Sequence, residues 1–364
     1  MKNIGVYVHI PFCAEKCPYC DFYSVKSGRT NIDRYTSAIT GKIYKWGETL
    51  ERKADTLYFG GGTPSYVGAD RLALIADSVR LSFGLENAEI SAEINPSKED
   101  FDFDKLRKSG FNRVSIGVQS ANDDELKMLG RLHNVRQSDL SIKKAQSAGF
   151  ENISLDLMIA TPLQTKDSLE RSIDFCAEHN VQHISSYILK VENGTPYFKS
   201  KDLLNLPDDD VQADMYLFAC EKLKEYGYHQ YEISNFAKEG FECRHNLKYW
   251  NDEEYLGVGP SAHSFIDGKR FYYPPSIDDF MNETYIKDDD GGSEEEYIML
   301  RLRLAKGINN DEYKERFGHK IPDKYFRNAK KFIDTDYLII DDNSIRLTTK
   351  GFIVSNAIIT EILA

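Results

Sequence analysis

Cys13, Cys17 and Cys20 stand in the stretch from His9 to Tyr23, His-Ile-Pro-Phe-Cys-Ala-Glu-Lys-Cys-Pro-Tyr-Cys-Asp-Phe-Tyr, with the spacing C-x3-C-x2-C. Thiolates this close in one loop can converge on a soft-metal site, and three of them leave one corner of an iron–sulfur cubane, or of a tetrahedral site, without a cysteine. An open iron is a place for a substrate or cofactor to bind. Rival readings exist. Cys17-Pro-Tyr-Cys20 alone has the form of a glutaredoxin-like redox pair, although a third thiol four residues upstream would invite wrong disulfides. Zinc usually takes ligands from two C-x-x-C pairs, or from one such pair and an H-x3–5-H, and no second pair is present. Spacing alone leaves cluster, zinc, redox pair and chance grouping open.

The elements that must position this loop repeat. Ile4, Val6 and Val8 alternate with Gly5 and Tyr7 as in a strand, which delivers the cysteines at its C-terminal end. A helix over 31–50 leads to an apolar run at 56–59 and to Gly60-Gly61-Gly62-Thr63-Pro64. Helical patterns at 70–82, 104–109, 138–148 and 167–179 then alternate with strands at 89–93, 113–118, 153–158 and 183–189. Six strands alternating with helices predict a parallel α/β sheet with right-handed crossovers, and periodicity does not choose between a doubly wound sheet and a barrel.

Further candidates lie at the strand ends, where such sheets place ligands. The glycine run lacks the Gly-Lys-Ser/Thr of a phosphate loop and the G-x-G-x-x-G of a dinucleotide turn, so it is either a tight turn or a site of close backbone approach. Glu93 ends one strand, Gln119 follows another, Asp156 lies within the fifth, and Arg131 comes beyond the fourth. Taken singly, such a carboxylate is more often a helix cap or surface group, and such an arginine is usually solvated or favourably placed by the helix dipole. Downstream, Leu206-Pro207 and the acids from Asp208 predict a helix through Tyr226. His245-Asn-Leu-Lys-Tyr-Trp250 and His263 follow. A neutral imidazole can ligate haem iron and aromatics can pack on a macrocycle, while the same residues also suit a hydrogen-bonded core corner. On residue types alone the core corner is the commoner outcome.

The polar stretch 287–293 reads as a linker. After it, helical patterns at 294–304, 311–317 and 323–333 and a strand pair at 337–340 and 344–347 predict a small winged-helix-like α+β module. The 364 residues carry a net charge of −12, which disfavours nucleic acid as a partner and points the module to a docking or lid role. No apolar run approaches the ~20 residues of a membrane span and no signal-peptide layout opens the chain, so a cytoplasmic protein is expected. Cys176, Cys220 and Cys243 have no regular spacing and are expected to be reduced structural thiols.

C-x3-C-x2-C with the aromatic Tyr19 beside the last cysteine resembles the cluster motif of the radical S-adenosylmethionine (SAM) superfamily. Tyr7-Val-His-Ile-Pro-Phe-Cys13 narrows the resemblance to the oxygen-independent coproporphyrinogen III dehydrogenase-like family of porphyrin metabolism, and His245-Asn-Leu-Lys-Tyr-Trp250 matches the H-N-x-x-Y-W of its haem-chaperone branch, HemW. The resemblance implies a radical SAM partial (β/α)6 barrel over 1–190, a barrel-associated extension over 191–290 and the winged-helix-like domain over 291–364. It implies that Cys13, Cys17 and Cys20 hold a [4Fe-4S] cluster whose fourth iron binds SAM. Tyr7, Tyr19, Gly61, Gly62, Thr63, Glu93, Gln119, Arg131 and Asp156 resemble the SAM-binding set. Ile159-Ala160-Thr161-Pro162 departs from the family, which more often has Gly-Leu-Pro there.

The activity implied is that of a haem chaperone, which binds haem and delivers it to an apo-haemoprotein, with the membrane respiratory chain as recipient and a peripheral approach to the membrane; His245 leads as the candidate haem ligand under this resemblance, with His9 and His263 behind it. The alternative is the SAM-dependent oxidative decarboxylation of coproporphyrinogen III. That branch usually has a further cysteine two residues after the third, where this chain has Phe22, and a longer N-terminal extension than the twelve residues before Cys13. A third reading is an electron-transfer or zinc module without SAM.

Overall fold

The computed structural model describes residues 3–26, 28–96, 100–282 and 285–364. Six strands, β1 (Ile4–Ile10), β2 (Ala54–Gly61), β3 (Glu89–Ile94), β4 (Arg113–Gln119), β5 (Asn152–Ile159) and β6 (His183–Ile188), pair in parallel in chain order. Helices Arg29–Leu50, Ala69–Phe83, Phe103–Lys108, Val135–Ser147 and Lys166–Glu178 make the crossovers. The expected units are all present, with ends shifted by a few residues.

Alternation along the strands decides between the two sheet types. Leu57, Phe59, Ile90, Ala92, Val114, Ile116, Ile153, Leu155 and Ile184 are buried on the face that meets the helices. Their neighbours, Thr56, Tyr58, Ser91, Glu93, Arg113, Ser115, Ser154, Asp156 and Ser185, occupy the other face. A doubly wound sheet packs helices on both faces and needs apolar residues on each. Here the second face is polar and turns inward, as in a barrel, and the strand order is linear, so the barrel stays open.

Residues beyond the six units widen the sheet rather than hang from it. β7 (His229–Gln230) and β8 (Asn235–Ala237) add antiparallel to β6. β9 (Tyr255–Val258) returns to pair in parallel with β1, and β10 (His263–Ile266), β11 (Lys269–Tyr272) and β12 (Ile286–Asp290) continue antiparallel from it. The linker expected over 287–293 is therefore corrected: residues 287–290 lie in an exposed edge strand whose Asp290 faces Lys269 of β11. Charged side chains suit such an edge, because they discourage further strand addition. The same charges made the segment look like a linker.

The C-terminal unit has β13 (Ile308–Asn309), β14 (Leu338–Ile340) and β15 (Ser344–Leu347) in the antiparallel order β13-β15-β14, with helices Glu294–Arg301, Asn310–Phe317, Asp323–Ala329 and Ser355–Leu363 around them. Asp252 fastens it to the barrel. Its carboxylate is fully buried and pairs with Arg270 of β11 at 3.3 Å and with Arg316 of the C-terminal unit.

Candidate functional site

The cysteine loop leaves the C-terminal end of β1 and is closed at its base by Cys13 N–H donating to Val25 O (3.1 Å) and Val25 N–H donating to Pro11 O (2.7 Å). His9 supports it from below: Nε2 bonds Tyr23 O at 2.9 Å and Nδ1 bonds the Tyr7 hydroxyl at 3.1 Å. On the far side Tyr197 N–H donates to Pro18 O at 3.0 Å, while the Tyr197 hydroxyl donates to Met128 O at 2.5 Å. Gly130 is required at that contact, since a Cβ there would stand 2.6 Å from the Pro18 ring.

The glycine run seats the loop against β2. Gly62 N–H donates to Ile10 O (2.8 Å) and Thr63 N–H to Phe12 O (2.9 Å). Gly61 has φ +111°, and a Cβ on it would lie 2.5 Å from the His9 ring. The close approach expected of these glycines is thus made first by the chain itself, with one side of Gly61, Gly62 and Thr63 left facing a cavity.

Cys13, Cys17 and Cys20 are free, partly buried thiols, and Cys20 lines that cavity. Cys13 Sγ lies 3.4 Å from Thr63 Oγ1, and Arg131 Nη1 lies 3.6 Å from Cys17 Sγ and 3.5 Å from the Tyr19 hydroxyl. Burial pushes the Cys20 thiol up to about 11, against the Phe22 backbone N–H and the Lys16 charge, which pull it down. No group of three His, Cys, Asp or Glu side chains among the described residues is gathered for a single metal ion. Three thiols in one loop, with Arg131 near Cys17 and Lys16 near Cys20 to offset thiolate charge, are the donor set that an iron–sulfur cluster takes.

The cavity measures about 440 Å³ and opens inside the strand ends. Eight of the ten expected cofactor residues line it: Tyr19, Gly61, Gly62 and Thr63 near the loop, and Glu93, Gln119, Arg131 and Asp156 on the strand side. Arg131 Nη2 donates to Gly117 O at 3.2 Å, and a Cβ on Gly117 would meet both Gln119 and Arg131. Asp156 accepts from Ser115 Oγ at 2.9 Å. Glu93 accepts from the Tyr58 hydroxyl at 3.1 Å, and burial together with the nearby Asp156 raises its pKa to about 8. Burial also raises the Asp156 pKa.

Two expected residues stand behind the wall. Tyr7 lies against Tyr58 and His9. His245 is 1% exposed, its ring stacked on Tyr58 with centroids 5.3 Å apart. Its Nδ1 is bonded to Thr56 Oγ1 and its Nε2 to the Tyr249 hydroxyl, each at 2.8 Å. Burial, with Lys248 and Arg113 nearby, lowers its pKa to about 3, so the ring is neutral. Both nitrogens are engaged, and iron could reach neither without breaking one of these bonds. His9 is likewise bonded through both nitrogens, whereas His263 is exposed on β10 and stacks on Tyr272. The helix Arg244–Trp250 closes the floor of the barrel, with Asn246 reaching the cavity.

Sequence reasoning missed Tyr58, Arg113, Ser115, Ser185, Tyr187 and Asn246 in the cavity wall. The signal for Arg113 and Ser115 was present: polar residues alternating with Val114 and Ile116 in a strand of a parallel sheet. The departure from Gly-Leu-Pro also has its account. Ala160 adopts φ +59°, a left-handed conformation that costs a non-glycine residue about 1 kcal/mol. The buried Gln164 side chain offsets this by accepting from Ala160 N–H at 2.7 Å and donating to Met158 O at 3.0 Å.

The family profile described as "Radical SAM superfamily" matches residues 7–176, and that of the "HemN C-terminal domain" matches 295–354. Proteins named heme chaperone HemW are similar along the chain: that of Bacillus subtilis is 32% identical, covering 97% of each chain, and that of Escherichia coli is 36% identical, covering 86% of each. Among solved structures, the coproporphyrinogen III oxidase HemN of Escherichia coli superposes with a TM-score of 0.83 at 22% identity, covering 99% of this chain and 90% of its own, which is a likeness of fold. An open parallel barrel, a three-cysteine loop at its strand ends and full-length similarity place this chain in the radical SAM superfamily and, within it, in the HemW family.

Proposed function

We propose that this chain binds a [4Fe-4S] cluster, SAM and haem, and passes the haem to apo-haemoproteins. The observation that carries this reading over decarboxylation is Phe22. Where a decarboxylase would present a further thiol, this chain presents an aromatic ring, 65% exposed in the cavity lining beside Cys20. Such a ring offers a flat apolar face to a macrocycle. The names of the HemW relatives support the same reading.

In this reading Cys13, Cys17 and Cys20 hold the cluster, which when bound supplies an open iron for SAM. Arg131 offsets the charge of Cys17 and holds Tyr19 at the loop. Gly61, Gly62, Thr63 and Gln119 give SAM a wall with little side-chain bulk, and Glu93 and Asp156 offer acceptors and protons deeper in. Tyr7 acts through Tyr58 and His9 as a positioning residue. Residues 1–190 form the cofactor core, 191–290 the strands and floor that complete it, and 291–364 a module for docking the recipient. No helix among the described residues is long and apolar enough to cross a membrane, so any approach to a membrane-bound recipient would be peripheral.

The test is haem binding against turnover. Phe22→Ser is expected to weaken haem binding about tenfold while the cluster absorption stays intact. Conversion of coproporphyrinogen III by the wild-type chain would contradict the proposal.

A further inference from the structure

At the cavity floor, opposite the cysteine loop, Arg113 is a buried charge with two unbonded nitrogens. It opens β4, is 1% exposed and lines the cavity, yet its Nε and Nη1 are wholly buried without a hydrogen-bond partner. Its charge is faced by the Glu89 carboxylate and by Cys243, Tyr58 and Tyr231, none of which bonds those two nitrogens. Ser91, its register partner on β3, has a buried and equally unpartnered Oγ. Asn246 rises into the same floor from the helix below, and no described residue bonds its side chain.

The carboxylates nearby act on its charge through space, but their hydrogen bonds go to other groups. Glu89 accepts the backbone N–H groups of Arg244 and His245, each at 3.1 Å. Asp156 accepts from Ser115, and Glu93 accepts from Tyr58 and holds its proton to about pH 8. A guanidinium removed from water is retained at large cost unless planar acceptors meet it, and a carboxylate fits its fork with two parallel bonds. The volume of about 440 Å³ is near the lower end of small-molecule sites, ~300–1,000 Å³. A macrocycle therefore has its place at the mouth, where Phe22 and Tyr187 are exposed, with only a side arm reaching the floor.

We infer that Arg113, with Ser91 and Asn246, forms a carboxylate site that takes a propionate arm of the porphyrin ligand. This rests on the haem reading above. A carboxylate could also come from SAM, and the test separates the two.

The full-length chain and its Arg113→Met and Arg113→Lys variants are compared in haem, haem dimethyl ester and SAM titrations, and in melting of the apo chain with sodium propionate against sodium chloride at equal ionic strength. Wild type is expected to prefer haem to its ester by about tenfold or more, and Arg113→Met to lose that preference, with SAM affinity unchanged. The apo Arg113→Met chain is expected to melt lower than Arg113→Lys, which keeps the charge that faces Glu89, so the propionate response of each chain is read against its own chloride control. Propionate is expected to raise the wild-type melting point and not that of Arg113→Met. Loss of SAM affinity in Arg113→Met, with the preference for haem over ester retained, would overturn the porphyrin assignment. An equal response to propionate in wild type and Arg113→Met, or none in either, would make Arg113 a structural cation and overturn the site. Failure of wild type to bind haem at all would sink the haem reading, while the propionate comparison would still decide whether Arg113 is a carboxylate site.

Discussion

Glu89 at the foot of β3 accepts the first free N–H groups of the helix Arg244–Trp250, from Arg244 and His245 at 3.1 Å each, and so fixes the barrel floor from a distance of 155 residues in sequence. Cys243 Sγ lies 3.7 Å from the same carboxylate. Glu89→Ala leaves these donors buried and unpaired, and is expected to destabilise the chain by about 2–3 kcal/mol, read as a lower urea midpoint. An unchanged midpoint would mean that the floor is held by packing alone.

His245 is fastened to Thr56 and Tyr249 through both ring nitrogens. His245→Ala is expected to cost about 2–4 kcal/mol of stability through the cavity and two lost bonds, and to leave the Soret maximum of the haem complex where it is in wild type. A shifted Soret maximum with unchanged stability would make His245 the iron ligand after all.

Much of this was legible beforehand, for a physical reason. The six β/α units declare themselves through local periodicity, and the cysteine loop, the glycine run and the strand-end polar residues carry their chemistry in adjacent residues. What was hidden depends on distant partners. The pairing of β9 with β1 joins Tyr255 to Gly5, and neither sequence neighbourhood announces it. β7 and β13 are two residues long, too short for any period. The role of His245 turns on Thr56 and Glu89, which belong to other strands.

Replacing Cys13, Cys17 or Cys20 with Ala is expected to abolish the iron–sulfur absorption of the anaerobically reconstituted chain, while Cys176→Ala leaves it intact, since Cys176 is buried away from the loop. A triple Cys13/Cys17/Cys20→Ala variant that still carried full iron would overturn the site.

Glu93 gives the apo chain a pH dependence. Its pKa rises from 4.5 to about 8 on folding, through burial first and Asp156 second. Between these values the folded state keeps a proton that the unfolded chain has lost, so this contribution is fully present below about pH 4.5 and is lost as pH rises through about 8. Urea midpoints of wild type are expected to fall from about pH 5 to about pH 9, and Glu93→Gln, which stays neutral, to show a smaller fall. Equal slopes in the two proteins would show that Glu93 ionises freely in the fold.

The most direct measurement is an anaerobic haem titration of the cluster-reconstituted chain, followed by Soret absorption and paired with an assay for coproporphyrinogen III turnover. A saturable, stoichiometric haem complex without turnover is the predicted result. Turnover of coproporphyrinogen III without saturable haem binding would contradict the haem-chaperone function.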